Sequence, residues 1–168
     1  MSFIIKLKTI TMSEIKYFSE EGFKNLKDEL NQLVNIERPS ISQQIAEARD
    51  KGDLSENAEY DAAKNAQGLL ELKISKLQET IRTARIIDES KLDDSKILIL
   101  STVKIKNLKT GAQMSYTLVP ENEAEIKSGK ISVNSPISKG LLGKKVGDKV
   151  EIEIPAGEIQ FEIIEISR

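Results

Sequence analysis

Ser19-Glu20-Glu21-Gly22-Phe23-Lys24-Asn25-Leu26-Lys27-Asp28-Glu29-Leu30-Asn31-Gln32-Leu33 places its apolar side chains at 23, 26, 30 and 33, spacings of three, four and three. That rhythm puts them on one stripe of an α-helix that packs lengthwise on another helix. Ser19 is a good N-cap, and the acids at 20 and 21 suit the positive end of the helix dipole. The seam continues through Ile36, Ile41, Ile45 and Ala48. Pro39 lies inside it and removes one ladder hydrogen bond, so a kink is expected there rather than a stop. The pattern halts at Lys51-Gly52-Asp53, and a second seam follows at Leu70, Ile74, Leu77, Ile81 and Ala84, preceded by Ala58, Ala62, Ala63 and Ala66. Two such helices joined by a short turn must run antiparallel. Each would be about 45 Å long at 1.5 Å per residue. A hairpin of this kind is too thin to enclose a cavity and acts at its tip or along its sides.

Beyond Ile87 the pattern changes. Asp88–Ser95 is polar and acidic, and short runs with β-type alternation follow: Ile97–Leu100, Val103–Asn107, Met114–Val119, Lys149–Ile154 and Glu158–Ile166. Turn signals separate them at 107–111, 147–148 and 155–157. Ser135-Pro136-Ile137 opens a short helix that ends near Leu142-Gly143. The fold class expected is α+β: an N-terminal antiparallel coiled-coil hairpin and a small antiparallel-sheet domain. The boundaries read as a disordered extension over 1–13 (with Met12 as an alternative start), a finger over 14–87, a linker over 88–96 and the sheet domain over 97–168.

Composition narrows the chemistry. The 168 residues contain no His, no Cys and no Trp, and carry a net charge of −2 from 25 basic and 27 acidic groups. Thiol nucleophiles, Cys-based zinc sites and imidazole bases are excluded. The balanced charge and 4% aromatic content argue against coating nucleic acid through a basic field or an aromatic stacking platform. No run approaches the roughly 20 apolar residues of a membrane span, and no signal-peptide pattern opens the chain. The expected location is the cytoplasm.

The densest cluster of chemistry-bearing residues is the hairpin turn, Arg49-Asp50-Lys51-Gly52-Asp53-Leu54-Ser55-Glu56-Asn57-Ala58-Glu59-Tyr60-Asp61. Asp53 could cap the second helix, with Glu56 at capping-box spacing. The same i, i+3 pair can converge on one face and share a divalent cation, as half of a site completed by another molecule. Arg49 and Lys64 flank the turn as a cationic edge.

Gly52-Asp53-Leu54-Ser55-Glu56-Asn57-Ala58-Glu59-Tyr60, preceded by Ile45-Ala46-Glu47-Ala48-Arg49, resembles the tip motif of the bacterial Gre transcript-cleavage factors, the GreA-like branch in particular. A second signature of that family is resembled by Ile131-Ser132-Val133-Asn134-Ser135-Pro136-Ile137 with Lys139-Gly140-Leu141-Leu142-Gly143-Lys144 and Gly147-Asp148. The resemblance spans about residues 14–168. It implies an FKBP-like C-terminal domain that docks on RNA polymerase at the rim of the secondary channel, with Asn134, Ser135 and Pro136 in the docking loop. It further implies a finger that reaches the catalytic centre, where Asp53 and Glu56 hold a Mg²⁺ shared with the polymerase and orient water for hydrolysis of backtracked RNA. Arg49 and Lys64 match a basic patch that contacts the RNA 3′ end, and Asn57, Glu59 and Tyr60 brace the tip. On this reading the chain is a monomeric transcription elongation factor that stimulates the polymerase's own cleavage, is not itself an enzyme, and binds no cofactor alone. The rival readings are a peptidyl-prolyl isomerase, for which Tyr116 and Phe161 offer too few aromatic walls, a channel-blocking inhibitor that would differ at the tip, and a coiled-coil adaptor that would leave the crowded tip unexplained.

Overall fold

Helix α1 begins where the sequence places its cap: it spans Glu20–Gln32, and the Gly22 N–H donates to Ser19 Oγ at 3.0 Å. This geometry comes from a computed structural model that describes residues 15–53 and 57–168. The expected extension over 1–13, and Met12 with it, lies outside the described residues. By its internal contacts the chain divides into two compact units. One takes in Lys27–Arg85; the other combines Tyr17–Leu26 with Ile86–Arg168.

In the first unit the expected break at Pro39 takes a particular form. After α1 the chain makes one π-helical turn, Leu33–Glu37, and continues as α2 over Arg38–Asp50 with Pro39 in its first turn. The Arg38 N–H bonds back to the Leu33 carbonyl, five residues earlier. Proline has no N–H and its ring would press on the carbonyl four residues back, so the ladder widens before it and then resumes. The extra residue changes the helix phase. Ile36, expected in the seam, is 65% exposed, while Leu33 is buried and Ile41 packs against the same cluster. Helix α3 spans Ala58–Thr83, and Leu70 and Ile74 join Leu33 in the buried core of this unit, with Leu30, Val34, Ile41 and Leu77 around it. Ion pairs run along its sides, Arg38 to Glu71 in a two-pronged contact at 2.8 Å and Lys73 to Glu29 at 2.9 Å.

Strand β1 (Tyr17–Phe18) pairs with β2 (Arg85–Ile86). The second unit is built on a five-stranded sheet of β3 (Thr102–Asn107), β4 (Gln113–Val119), β5 (Lys130–Ser132), β6 (Lys149–Ile154) and β7 (Gly157–Ser167), in the order β5-β4-β3-β7-β6. Alternation along β3 and β6 turns Val103, Ile105, Val150 and Ile152 inward. Helix α4, Pro136–Leu141, opens on the Ser135 cap, whose Oγ accepts the Ser138 N–H at 3.2 Å, and buries Leu141 on the sheet core.

Two details depart from the sequence reading. The sheet is not wholly antiparallel: β5 lies parallel to β4, because the chain from 120 to 129 crosses over through two 3-10 turns, Glu121–Glu123 and Ile126–Ser128. The run Ile97–Leu100 is not a strand. Ile97 is fully buried and exchanges backbone bonds with Lys144 and Gly143, while Leu100 adopts a φ of 68° in a turn. The alternation there comes from an anchor residue followed by a tight bend, which periodicity cannot tell from a strand.

Candidate functional site

The hairpin turn joins the C-terminus of α2 to the N-terminus of α3. Gly52, at φ 121°, takes a backbone conformation that a side chain would resist and lets the chain reverse. The cap of α3 is not Asp53 but Asn57, whose Oδ1 accepts the Tyr60 N–H at 3.1 Å. The Asn57 amide also donates across the hairpin to the Ala48 carbonyl at 2.6 Å, so one side chain starts α3 and ties it to the end of α2. The N-cap position expected of Asp53 therefore falls to Asn57. A signal for this was present in the sequence: Glu59 and Asp61 are first-turn acids of a helix that starts at 58, not at 54.

Asp53 is exposed at the turn. Its expected companion Glu56 lies outside the described residues. Among the described residues, no group of three or more His, Cys, Asp or Glu side chains is gathered to hold a metal ion. The donor chemistry at Asp53 nevertheless suits a hard cation, which takes oxygen ligands and is commonly held by one or two carboxylates together with substrate phosphates.

Arg49, in the last turn of α2, lies with its guanidinium 5.8 Å from the centre of the Tyr60 ring, within cation–π range. Tyr60 and Lys64 are four residues apart on α3 and share a face. Tyr60 thus contacts Arg49 of α2 and shares a face of α3 with Lys64, the two cations expected to form a basic edge. The Lys64 ammonium donates to Gln67 at 2.8 Å. Glu59 pairs with Lys51 at 2.5 Å across the turn, and this hydrogen bond, reinforced by the Glu59 charge, holds the Lys51 ammonium above its ordinary pKa. Sequence reading placed Glu59 at the tip but missed Lys51 as its partner. Between the helices beneath the turn runs an open groove floored by Ala48, Ala62, Ala63 and Ala66 and edged by Gln44, Glu47, Lys51 and Glu59.

The second group of expected site residues lies in the other unit. Asn134 is exposed, and its side chain reaches Glu121 at 3.3 Å. Ser135 is half-buried and occupied as the α4 cap, and Pro136 is the exposed first residue of that helix.

Comparison with known proteins covers both units. The family model for the N-terminal domain of the GreA/GreB transcription elongation factors matches residues 16–86, and that for the GreA/GreB C-terminal domain matches residues 92–168. Over 157 residues the chain is 64% identical to the transcription elongation factor GreA of Christiangramia forsetii, covering 94% of this chain and 99% of that protein. It is 65% identical to the protein of the same name in Flavobacterium psychrophilum, with the same coverage. Among solved structures, the GreA factor homolog 1 (Gfh1) protein of Thermus thermophilus is 24% identical with a TM-score of 0.41, over 91% of this chain and 99% of that one; a TM-score that low decides nothing further. No helix among the described residues is long and apolar enough to cross a membrane.

Proposed function

Because the chain belongs to the GreA/GreB family of transcription elongation factors, we propose that it binds RNA polymerase and stimulates cleavage of backtracked RNA from the tip at Gly52-Asp53. The sheet unit docks at the rim of the secondary channel through Asn134, Ser135 and Pro136, and the hairpin reaches the catalytic centre. Asp53 and Glu56 are the working carboxylates. They would hold a Mg²⁺ shared with the polymerase, and a divalent cation there supplies charge stabilisation to a phosphodiester undergoing displacement. The chain's own contribution is to deliver those carboxylates, order water beside them and keep the RNA 3′ end in place with Arg49 and Lys64. Chemistry of this kind needs no imidazole, which agrees with a chain that has no His. The site is completed only in the complex, in the cytoplasm, with one copy of the chain per polymerase.

The observation that carries the reading is the division of labour at the turn. Asn57 caps α3 and braces α2, while Asp53 stands exposed at the reversal of the hairpin, where a cation from outside can reach its carboxylate. The Arg49 guanidinium lies 5.8 Å from the centre of the Tyr60 ring, a cation–π contact that favours this placement of the charge beside the tip. The test is to add the protein, with Mg²⁺, to a stalled and backtracked elongation complex. Shortened RNA and renewed elongation are expected; RNA of unchanged length would contradict the proposal.

A further inference from the structure

The start of α1 is held twice. Ser19 Oγ accepts the Gly22 N–H at 3.0 Å, which is an ordinary local cap. Ser19 then gives both of its own protons away: its N–H donates to Glu123 Oε1 and its hydroxyl to Glu123 Oε2, each at 2.7 Å, from a turn 104 residues further along the chain. Ser19 is 8% exposed, so these bonds are shielded from water. All three residues belong to one compact unit, Tyr17–Leu26 with Ile86–Arg168.

Local capping explains neither partner. A cap needs one acceptor, and Ser19 supplies it. Glycine in a first helical turn is a poor helix former, yet a Cβ at Gly22 would overlap the Glu123 carboxylate. The carboxylate and the glycine make sense together: the glycine clears the space in which a negative charge closes over the positive end of the helix. The same short turn reaches the other way as well, through Glu121 to the Asn134 side chain.

We infer that Glu123 is a positioning residue for transcript cleavage, an inference that rests on the function proposed above. Its carboxylate latches the first turn of α1, the root of a helix that runs on without interruption through the π turn to Arg49. Glu123 touches neither RNA nor cation. It acts by fixing where the finger helix begins.

The experiment uses the full chain with Glu123→Gln, Gly22→Ala and the double variant. Glu123→Gln keeps the side-chain size but turns an amide toward the Ser19 donors. Gly22→Ala drives the carboxylate off while improving helix propensity. Amide exchange at Ser19 should quicken at least tenfold in both single variants and no further in the double, because both remove one interaction. Exchange in β6 and β7 should stay as in the unaltered protein. Cleavage at saturating protein should fall several-fold, with the concentration for half-maximal cleavage unchanged. Slower or unchanged Ser19 exchange in Gly22→Ala would overturn the latch, since that is what helix propensity alone predicts. Faster exchange with full cleavage would overturn the positioning role. An unaltered protein that cleaves nothing would refute the proposed function and with it the positioning role, while the exchange data would still decide the latch.

Discussion

The hairpin and the sheet unit are stabilised in different ways. The hairpin buries a thin line of side chains, Leu33, Leu70 and Ile74 in one cluster with Ile45, Ala48 and Ala63 further along, and its flanks are covered by exposed ion pairs. The sheet unit buries a cluster that includes Ile97, Val103, Ile105, Leu118 and Leu141 at 0% exposure. Two packed helices can present side chains at their far end but cannot enclose them. Order at the tip therefore draws on directed contacts: the Asn57 tie to Ala48, the Asn57 cap on Tyr60 and the cation–π contact of Arg49. A layered sheet and helix can fix loops by packing alone, as Leu141 does for α4. In this chain the residues proposed to do chemistry sit where packing is thinnest.

Core truncation should separate the units most strongly. Ile105→Ala, in the centre of the sheet cluster, is expected to cost about 2–5 kcal/mol, and Ile74→Ala toward the lower end of that range because a two-helix seam can close over the gap. Denaturant unfolding of both variants measures this. An Ile74 cost equal to or larger than the Ile105 cost would break the contrast in how the units are held.

A smaller effect is expected at the tip. Asn57→Ala should cost about 0.5–2 kcal/mol as a lost helix cap, and it also removes the donor to the Ala48 carbonyl. Asp53→Ala should leave the thermal midpoint nearly unchanged. The reverse order would return the capping role to Asp53 and weaken the case for its function.

The smallest expected effect lies on the sheet face. Glu151 shares a hydrogen bond with Glu158, and that bond, with the repulsion between the two charges, holds the Glu151 carboxyl above its ordinary pKa. The folded state then binds more protons than the unfolded one, so this pair lowers stability as pH rises through the window between the ordinary carboxylate value and the raised one. Glu151→Gln should raise the thermal midpoint slightly at pH 7 and lose that advantage below the ordinary carboxylate range. An equal gain at low pH would show that repulsion is not its origin.

Much of this was legible in the sequence, and the exceptions have physical causes. The four-three seam revealed the hairpin, and alternation gave β6 residue for residue at Lys149–Ile154. Ser19 and Ser135 cap the helices that the sequence assigns to them. Ile36 falls out of the seam because it lies inside the π turn, whose extra residue carries the buried stripe from Leu33 on to Ile41, Ile45 and Ala48 without it, and only the identity of Pro39 hints at that. Asp53 and Asn57 are equally good caps by residue type, so local preference could not choose between them. The parallel pairing of β5 and the reach of Glu123 to Ser19 join residues far apart in the chain, which no periodicity records. The tip motif was visible; the way Tyr60 and Asn57 hold it was not.

The central claim is that the tip carboxylates do the work, and cleavage by Asp53→Asn and Glu56→Gln tests it most directly. Each change keeps side-chain size and removes the charge a hard cation requires. With Mg²⁺ held constant and protein saturating, cleavage of backtracked RNA should slow roughly a hundredfold or more for either variant, a loss of about 1.36 kcal/mol of transition-state stabilisation per tenfold. Affinity for polymerase and the thermal midpoint should stay close to those of the unaltered protein. Near-normal cleavage by both variants would contradict the account.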